Sequence, residues 1–118
     1  MQINIKATEL DLTPALKVYI EQKMGVIARL LKRFEASGQP ELWLEVARTT
    51  HHHRRGEVFM AEADLRLPGK VLRAKHEDVN IRTAIDELQV KLRLEIDKYK
   101  TRKVDRVRRV RAKEKSGK

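Results

Sequence analysis

The first 40 residues show two hydrophobic periods in succession. Ile3, Ile5 and Ala7 alternate with polar residues, which is the pattern of a β-strand with one buried face. Thr13 then supplies a capping hydroxyl and Pro14 a preset first turn, so a helix is predicted to begin there. Its apolar residues recur at steps of three and four until the sequence SGQP at 37–40 ends the pattern: Leu16, Ile20, Met24, Ile27, Leu31 and Phe34.

Alternation returns in the middle of the chain and predicts three more strands. The first contains Leu42, Leu44 and Val46, and the second follows the polar loop THHHRRGE and has apolar residues at every other position over 59–67. The sequence LPGK then predicts a turn, followed by a short fourth strand at residues 71–74. The adjacent acids at 77 and 78 are expected to lie in a turn before the next element.

A second long helix is predicted to follow, with Asn80 as its cap. Its apolar residues fall on one stripe: Ile81, Ile85, Leu88, Leu92, Ile96 and Tyr99. At about 100° per residue, polar side chains flank this stripe on both sides: Lys91, Lys98 and Arg102 on one, and Arg82, Gln89, Arg93 and Lys100 on the other. Long cationic side chains in such positions either cover apolar surface and keep the helix soluble, or bind an anionic partner.

The distribution of charge favours binding. The chain has 27 Lys and Arg against 17 Asp and Glu, a net charge of +10. Residues 100–118 hold ten of these cations and two of the acids, so residues 1–99 carry a net charge of only +2. Because phosphates neutralised by Lys or Arg release counterions, such an extension is expected to bind a polyanion without selecting which one. We therefore predict a binding domain at residues 1–100, which provides selectivity, and a basic extension at 101–118, either a continuation of the second helix or a coil that orders on RNA.

Composition excludes several classes of function. The absence of cysteine removes disulfides, thiolate nucleophiles and zinc knuckles. No apolar run reaches the length of a signal peptide core or a membrane span, so we expect a cytoplasmic protein with no membrane partner. One Trp, two Tyr and two Phe are too few for a protein that stacks on single-stranded nucleic acid. Trp43 itself is expected either as an exposed contact on the open sheet face or as a cover for loop or helix residues.

Polar clusters do not indicate catalysis or a resident metal. Three adjacent histidines in the run HHHRR at 51–55 do not converge easily on one ion, so a polar loop is expected in which Arg54 and Arg55 contact phosphate. The histidines would strengthen such contacts below about pH 6.5. Glu62 and Asp64 share one strand face and are expected to be solvated. We therefore predict no enzyme, no cofactor, no metal and no small-molecule substrate.

The order of elements predicts an α+β fold, β-α-β-β-β-α, with two helices on one face of a four-stranded, mainly antiparallel sheet. Three segments, in their order and spacing, resemble the ribosome hibernation-promoting factors, also described as ribosome-associated translation inhibitors or sigma-54 modulation proteins: MQINIKATELDLTPALKVYIEQKM, LPGKVLRA and AIDELQVKLRLEIDKYK. The resemblance covers residues 1–102. The chain resembles the short forms, which have no C-terminal dimerisation domain.

This resemblance implies a fold similar to a double-stranded-RNA-binding domain, bound to the small ribosomal subunit and its rRNA in the groove between head and body. A protein there occupies positions needed by messenger and transfer RNA, so ribosomes of stressed or stationary-phase cells are idled by steric exclusion. The family's rRNA-facing cations match Lys23, Lys91, Lys98 and Lys100 of this chain. We add the flanking cations of the second helix and the loop arginines to complete the candidate set: Arg82, Arg93, Arg102, Arg54 and Arg55. Away from the ribosome a monomer is expected.

Two other functions remain open. The protein could be a general RNA- or DNA-binding protein in which the basic extension does most of the binding. It could also be a protein-interaction module that modulates a transcription factor, as the sigma-54 label of the family suggests.

Overall fold

The elements of the fold follow the predicted order. The computed structural model describes residues 1–32, 38–49 and 58–116, with side chains as far as residue 102. The elements are β1 (Gln2–Thr8), α1 (Pro14–Leu30), β2 (Glu41–Thr49), β3 (Val58–Leu67), β4 (Lys70–Asp78) and α2 (Ile81–Ser116). Phe34 and the run at 51–55, which includes Arg54 and Arg55, lie outside the described residues. The predicted α+β fold is confirmed.

The strands form one sheet in the order β1-β2-β3-β4. β1 pairs with β2 in parallel, with Ile5 opposite Leu44, because α1 carries the chain back to the starting edge between them. The β2–β3 and β3–β4 pairings are antiparallel, so the sheet is mainly antiparallel, as predicted.

Both helices contribute to one core on one face of this sheet. The apolar stripe of α1 and that of α2 pack with the alternate residues of β2 and β3, whose side chains are buried: Leu42, Leu44, Val46, Ala61, Ala63 and Leu65. Ile85, Leu88, Leu92 and Ile96 of α2 are completely buried, while Ile81 and Tyr99 lie at the edges of the core. The predicted stripe of α2 is therefore its buried face, and its flanks stay at the surface.

Both predicted helix caps are formed. The hydroxyl of Thr13 accepts a hydrogen bond from the Leu16 N–H at 3.2 Å. The side-chain oxygen of Asn80 accepts from the N–H groups of Arg82 at 2.9 Å and Thr83 at 3.3 Å. α1 ends at Leu30, before the turn sequence at 37–40, and the N–H of Leu31 is shared between the carbonyls of Ile27 and Ala28 as the last turn tightens.

β4 is longer than the sequence pattern predicted. It runs to Asp78, with Glu77 opposite Met60 and Asp78 opposite Phe59, so the prediction that these acids lie in a turn is wrong. β4 is an edge strand, and polar side chains are tolerated there on both faces, so loss of alternation does not mark its end. The predicted turn between β3 and β4 is present, and Gly69 adopts a left-handed φ of 73° within it.

Candidate RNA interface

One flank of α2 meets α1, and a cluster of four side chains joins the two helices there. The Nζ of Lys23 on α1 lies 3.2 Å from the Oδ1 of Asp86 on α2. The hydroxyl of Tyr19 donates a hydrogen bond to the same carboxylate oxygen. The guanidinium of Arg82 lies 4.8 Å from the centre of the Tyr19 ring, and Lys23 Nζ lies 5.5 Å from it. The fold therefore brings together two predicted RNA-binding cations, Lys23 and Arg82, around one aromatic ring.

The carboxylate of Asp86 sets the protonation of this cluster. Its hydrogen bond with Tyr19 is the main cause that raises the pKa of that hydroxyl, and desolvation by burial adds to the effect. The same carboxylate raises the pKa of Lys23, first through a hydrogen bond and then through its charge. Lys23 therefore stays protonated and Tyr19 neutral at physiological pH. With Lys23 and Arg82 cationic and Asp86 anionic, the cluster carries a net charge of +1.

A further bond fixes the position of α1 beside α2 at this flank. The side-chain amide of Gln89 donates to the backbone carbonyl of Lys23 at 2.8 Å. Arg93, farther along the same flank, is exposed, and Lys100 is partly buried. The predicted flank of α2 therefore meets α1 through Arg82 and Gln89.

The other flank of α2 faces β4. The Nζ of Lys91 donates to the backbone carbonyl of Lys75 on β4 at 2.8 Å, which holds the lysine against the strand. The Nζ of Lys98 lies 3.4 Å from the carboxylate of Glu95 one turn before it. Arg102 is exposed and faces the turn between β3 and β4, with which it lines a cleft. Lys91, Lys98 and Arg102 therefore follow one side of the helix, as the sequence predicted.

The opposite, open face of the sheet has a different electrostatic character. Lys6, Glu45, Glu62 and Lys75 lie in register across its four strands, so two carboxylates occupy the middle of the row. In the next row the Asp64 carboxylate lies 3.5 Å from the Arg73 side chain, an ion pair whose buried oxygen makes no hydrogen bond. Carboxylates at the centre of this face repel phosphate, whereas the helix side presents cations.

Trp43 lies on the open face and is 44 % exposed. The guanidinium of Arg66, on the neighbouring strand, lies 5.1 Å from the centre of its ring. Of the two predicted roles, the exposed position on the open face is the one found, with Arg66 as the residue that packs against the ring.

Four residues near the candidate cations were missed by the sequence analysis. Asp86 lies beside Arg82 on the same flank of α2 and Tyr19 lies on α1, and only the packing of α1 on α2 brings both residues to Lys23. Lys70 and Arg73 both lie on β4, a strand that the sequence alone did not connect with the end of α2. The sequence signal for Lys70 and Arg73 was the two-residue turn, which shows that the start of β4 pairs with the end of β3.

The described part of the chain contains neither a metal-binding cluster nor a membrane-spanning helix. Within it, no group of three or more His, Cys, Asp or Glu side chains could hold a metal ion. Neither α1 nor the described length of α2 combines the length and the apolar character that a membrane crossing requires.

A family match and a sequence relative agree on the family of this chain. The chain matches the family described as Sigma 54 modulation protein / S30EA ribosomal protein over residues 3–104. It is 32% identical over 108 residues to a ribosome hibernation promoting factor from Azotobacter vinelandii, which covers 90% of this chain and 89% of the relative.

Two solved structures have a similar fold. The N-terminal domain of Protein Y from Thermus thermophilus superposes with a TM-score of 0.65 at 25% identity, over 84% of this chain and 99% of that domain. A ribosomal subunit interface protein from Coxiella burnetii gives a TM-score of 0.62 at 23% identity, over 86% of this chain and 99% of the other, and supports the fold alone. The chain belongs to the Sigma 54 modulation protein / S30EA ribosomal protein family.

Proposed function

We propose that this protein is a cytoplasmic ribosome hibernation factor, which binds the small ribosomal subunit and idles it by occupying the channel used by messenger and transfer RNA. The observation that carries this proposal is the segregation of charge across the fold. Cations flank α2 on both sides, whereas the open sheet face has carboxylates at its centre. The name of the Azotobacter vinelandii relative, a ribosome hibernation promoting factor, supports the same function.

A folded RNA cleft presents phosphates in a fixed array, and a rigid domain recognises such an array by the positions of its cations. Several candidate cations meet this requirement because the fold restrains them. Lys91 is bonded to the β4 backbone, and Lys23 and Arg82 are held around Tyr19. No chemical step is needed, because exclusion of messenger and transfer RNA is sufficient to stop translation.

The basic extension is proposed to add affinity without selectivity. α2 continues as a helix to Ser116, so it is about 54 Å long, and its last turns carry most of the excess positive charge. If all ten cations of residues 100–118 met duplex-like phosphates, the salt dependence of binding would have a slope of about 9, which is an upper bound.

The proposal is tested by sedimenting the protein with purified small subunits in low and moderate salt. Replacing Lys91, Lys98 and Lys100 together by Ala should weaken binding and lower the salt slope by about 2 to 3, without unfolding the domain. The matched control replaces three cations of the open sheet face, Lys6, Arg66 and Lys75, by Ala and should bind as the wild type does. Equal binding by the two triple variants would show that the helix flanks are not the interface.

Deletion of residues 101–118 distinguishes selective binding from general nucleic-acid binding. A hibernation factor without its extension should bind more weakly and with less salt dependence, yet still prefer small subunits to an unrelated RNA. Loss of all binding would instead indicate a general RNA- or DNA-binding protein. Failure of the full chain to sediment with ribosomes, together with capture of a transcription factor, would favour the modulator alternative. Gel filtration of the free protein should give a monomer.

A further inference from the structure

A cleft of about 410 Å³ lies between the β3–β4 turn and α2. Lys70 and Arg73 line it from β4, and Lys98 and Arg102 line it from α2. The acid among its lining residues is Glu95, so these residues carry a net charge of +3, of which the charge of Arg73 is paired with Asp64 on the open sheet face. Residues 1–102, which include all of these side chains, carry a net charge of +4. The cleft is therefore a local concentration of positive charge that two separate elements create by packing.

The four cations of the cleft are not equally available to a ligand. Arg73 lies 3.5 Å from the Asp64 carboxylate, and Lys98 lies 3.4 Å from that of Glu95. The side chains of Lys70 and Arg102 are exposed and make no hydrogen bond or ion pair with any residue whose side chain the structure describes. Lys70 and Arg102, one from each wall, are therefore the cations expected to bind an anion directly.

The remaining lining of the cleft is partly apolar and could contact an organic group attached to the anion. The ring of Tyr99 lines it and packs partly against the core. Val71, which is 44% exposed, lines it from β4. Clefts of roughly 300 Å³ or more accommodate organic ligands, and a base or ribose attached to the phosphate would find apolar contacts here. A nucleotide combines the anionic group and the ring that this lining favours.

The position of the cleft indicates where the phosphate would come from. Lys98 and Arg102 continue the same flank of α2 as Lys91, so the cleft lies at the end of a row of cations. Lys98 and Arg102 are about 6 Å apart along the helix axis. We propose that the cleft binds a nucleotide phosphate and, as an extension that rests on the proposed function, that the backbone of the ribosomal RNA supplies it. Lys70 and Arg102 hold the phosphate, and Tyr99 contacts the sugar or base.

The phosphate site itself is tested without ribosomes. Adenosine 5′-monophosphate, titrated into the full chain, should shift the backbone amide NMR signals of Gly69, Lys70 and Arg102, whereas adenosine should leave them unchanged. The shifts should be strongly reduced in Lys70→Ala and retained in Lys6→Ala, which removes the same charge from the opposite sheet edge and face. Equal effects of the nucleotide and the nucleoside, or none from either, would overturn the phosphate site.

The source of the phosphate is tested on purified small subunits. Lys70→Ala and Arg102→Ala should each lower the salt slope of binding by about 0.7 to 0.9, and Lys6→Ala should not. If the cleft variants bind small subunits as well as the wild type does, the cleft does not contact ribosomal RNA. A shift of the NMR signals on addition of the nucleotide would then show that the cleft binds a free nucleotide. If the wild type itself fails to bind, the proposed function and the ribosomal source fall together, and the nucleotide titration alone decides the phosphate site.

Discussion

Replacing Asp86 by Asn should weaken the link between the two helices and strengthen RNA binding. The substitution keeps an oxygen that can accept the Tyr19 hydroxyl but removes the negative charge 3.2 Å from Lys23 Nζ. The net charge of the cluster of Lys23, Arg82 and Asp86 then rises from +1 to +2. Because this flank is proposed to face phosphates, the lost carboxylate should no longer repel them.

The two effects have different sizes, which follow from the contacts. A carboxylate about 6 Å from a phosphate opposes binding by a factor of roughly three in water, so Asp86→Asn should bind small subunits about threefold more tightly at low salt. The gain should shrink as salt rises, since a separation of this size is close to the Debye length of about 8 Å at physiological ionic strength. The loss of stability should be small, because the amide preserves the hydrogen bond.

Two companion variants separate charge from hydrogen bonding. Tyr19→Phe removes the bond and leaves Asp86 and Lys23 charged, so it should cost about 1 kcal/mol, which is below the usual range for bonds to charged groups because the pair is partly exposed. That corresponds to a fall of roughly 4–8 °C in Tm for a domain of about 100 residues. Its affinity for subunits should not increase. Asp86→Ala should combine the lower Tm with the tighter binding.

Thermal unfolding followed by circular dichroism gives the stabilities, and sedimentation with small subunits at about 50 and 200 mM salt gives the affinities. The reasoning would be refuted if Asp86→Asn kept the wild-type Tm yet bound subunits more weakly. That result would mean that the carboxylate holds Lys23 and Arg82 in a binding geometry, and that this positioning outweighs the charge it neutralises.

Two further predictions concern pH and the backbone. Asp86 raises the pKa of Tyr19 above 10.0 and that of Lys23 above 10.5, so both groups hold their protons more tightly in the folded state. Their stabilising contribution is complete below about pH 10 and is lost as the pH rises through the folded-state pKa values. The free energy of unfolding, measured by urea titration, should therefore fall more steeply above pH 10 in the wild type than in Asp86→Asn. Equal slopes of this free energy against pH would contradict the argument. Gly69→Ala should lower stability by about 1–2 kcal/mol because φ is 73° there. Gly25→Ala should raise it by about 0.5–1 kcal/mol, because Gly25 lies within α1 and an added Cβ would meet nothing within 4 Å. Urea midpoints that move in the same direction for both glycines would contradict the backbone argument.

The fold was largely predictable from local pattern. The stripes of α1 and α2, the caps at Thr13 and Asn80 and the alternation of β2 and β3 each follow from a period or a short-range bond. The extent of β4 was not predictable in this way. Its residues at 75–78 are polar on both faces, and only pairing with the start of β3 defines them as strand.

The candidate interface was predictable only in outline. Helix geometry assigns Lys91, Lys98 and Arg102 to one flank of α2, and the structure agrees with that placement. Helix geometry alone cannot identify Asp86 as the partner of Lys23, since the two residues are 63 positions apart and meet only when the helices pack. For the same reason the contribution of Lys70 to the cleft depends on a contact between the start of β4 and the end of α2, which are distant in sequence.

In the proposed function, the restraint of individual cations lets a body of low net charge select a partner that the extension merely attracts. A lysine side chain that becomes fixed on binding loses up to about 2 kcal/mol of conformational freedom. Lys91 is already bonded through one ammonium hydrogen to the Lys75 carbonyl, and an ammonium group has three donors, so two remain for phosphate. Much of the conformational entropy of the Lys91 side chain is therefore lost during folding rather than on binding. This smaller entropy loss on binding favours only an RNA whose phosphates match the fixed positions of the cations. Restrained cations therefore favour one RNA shape, whereas unrestrained cations lose the same conformational entropy on any RNA.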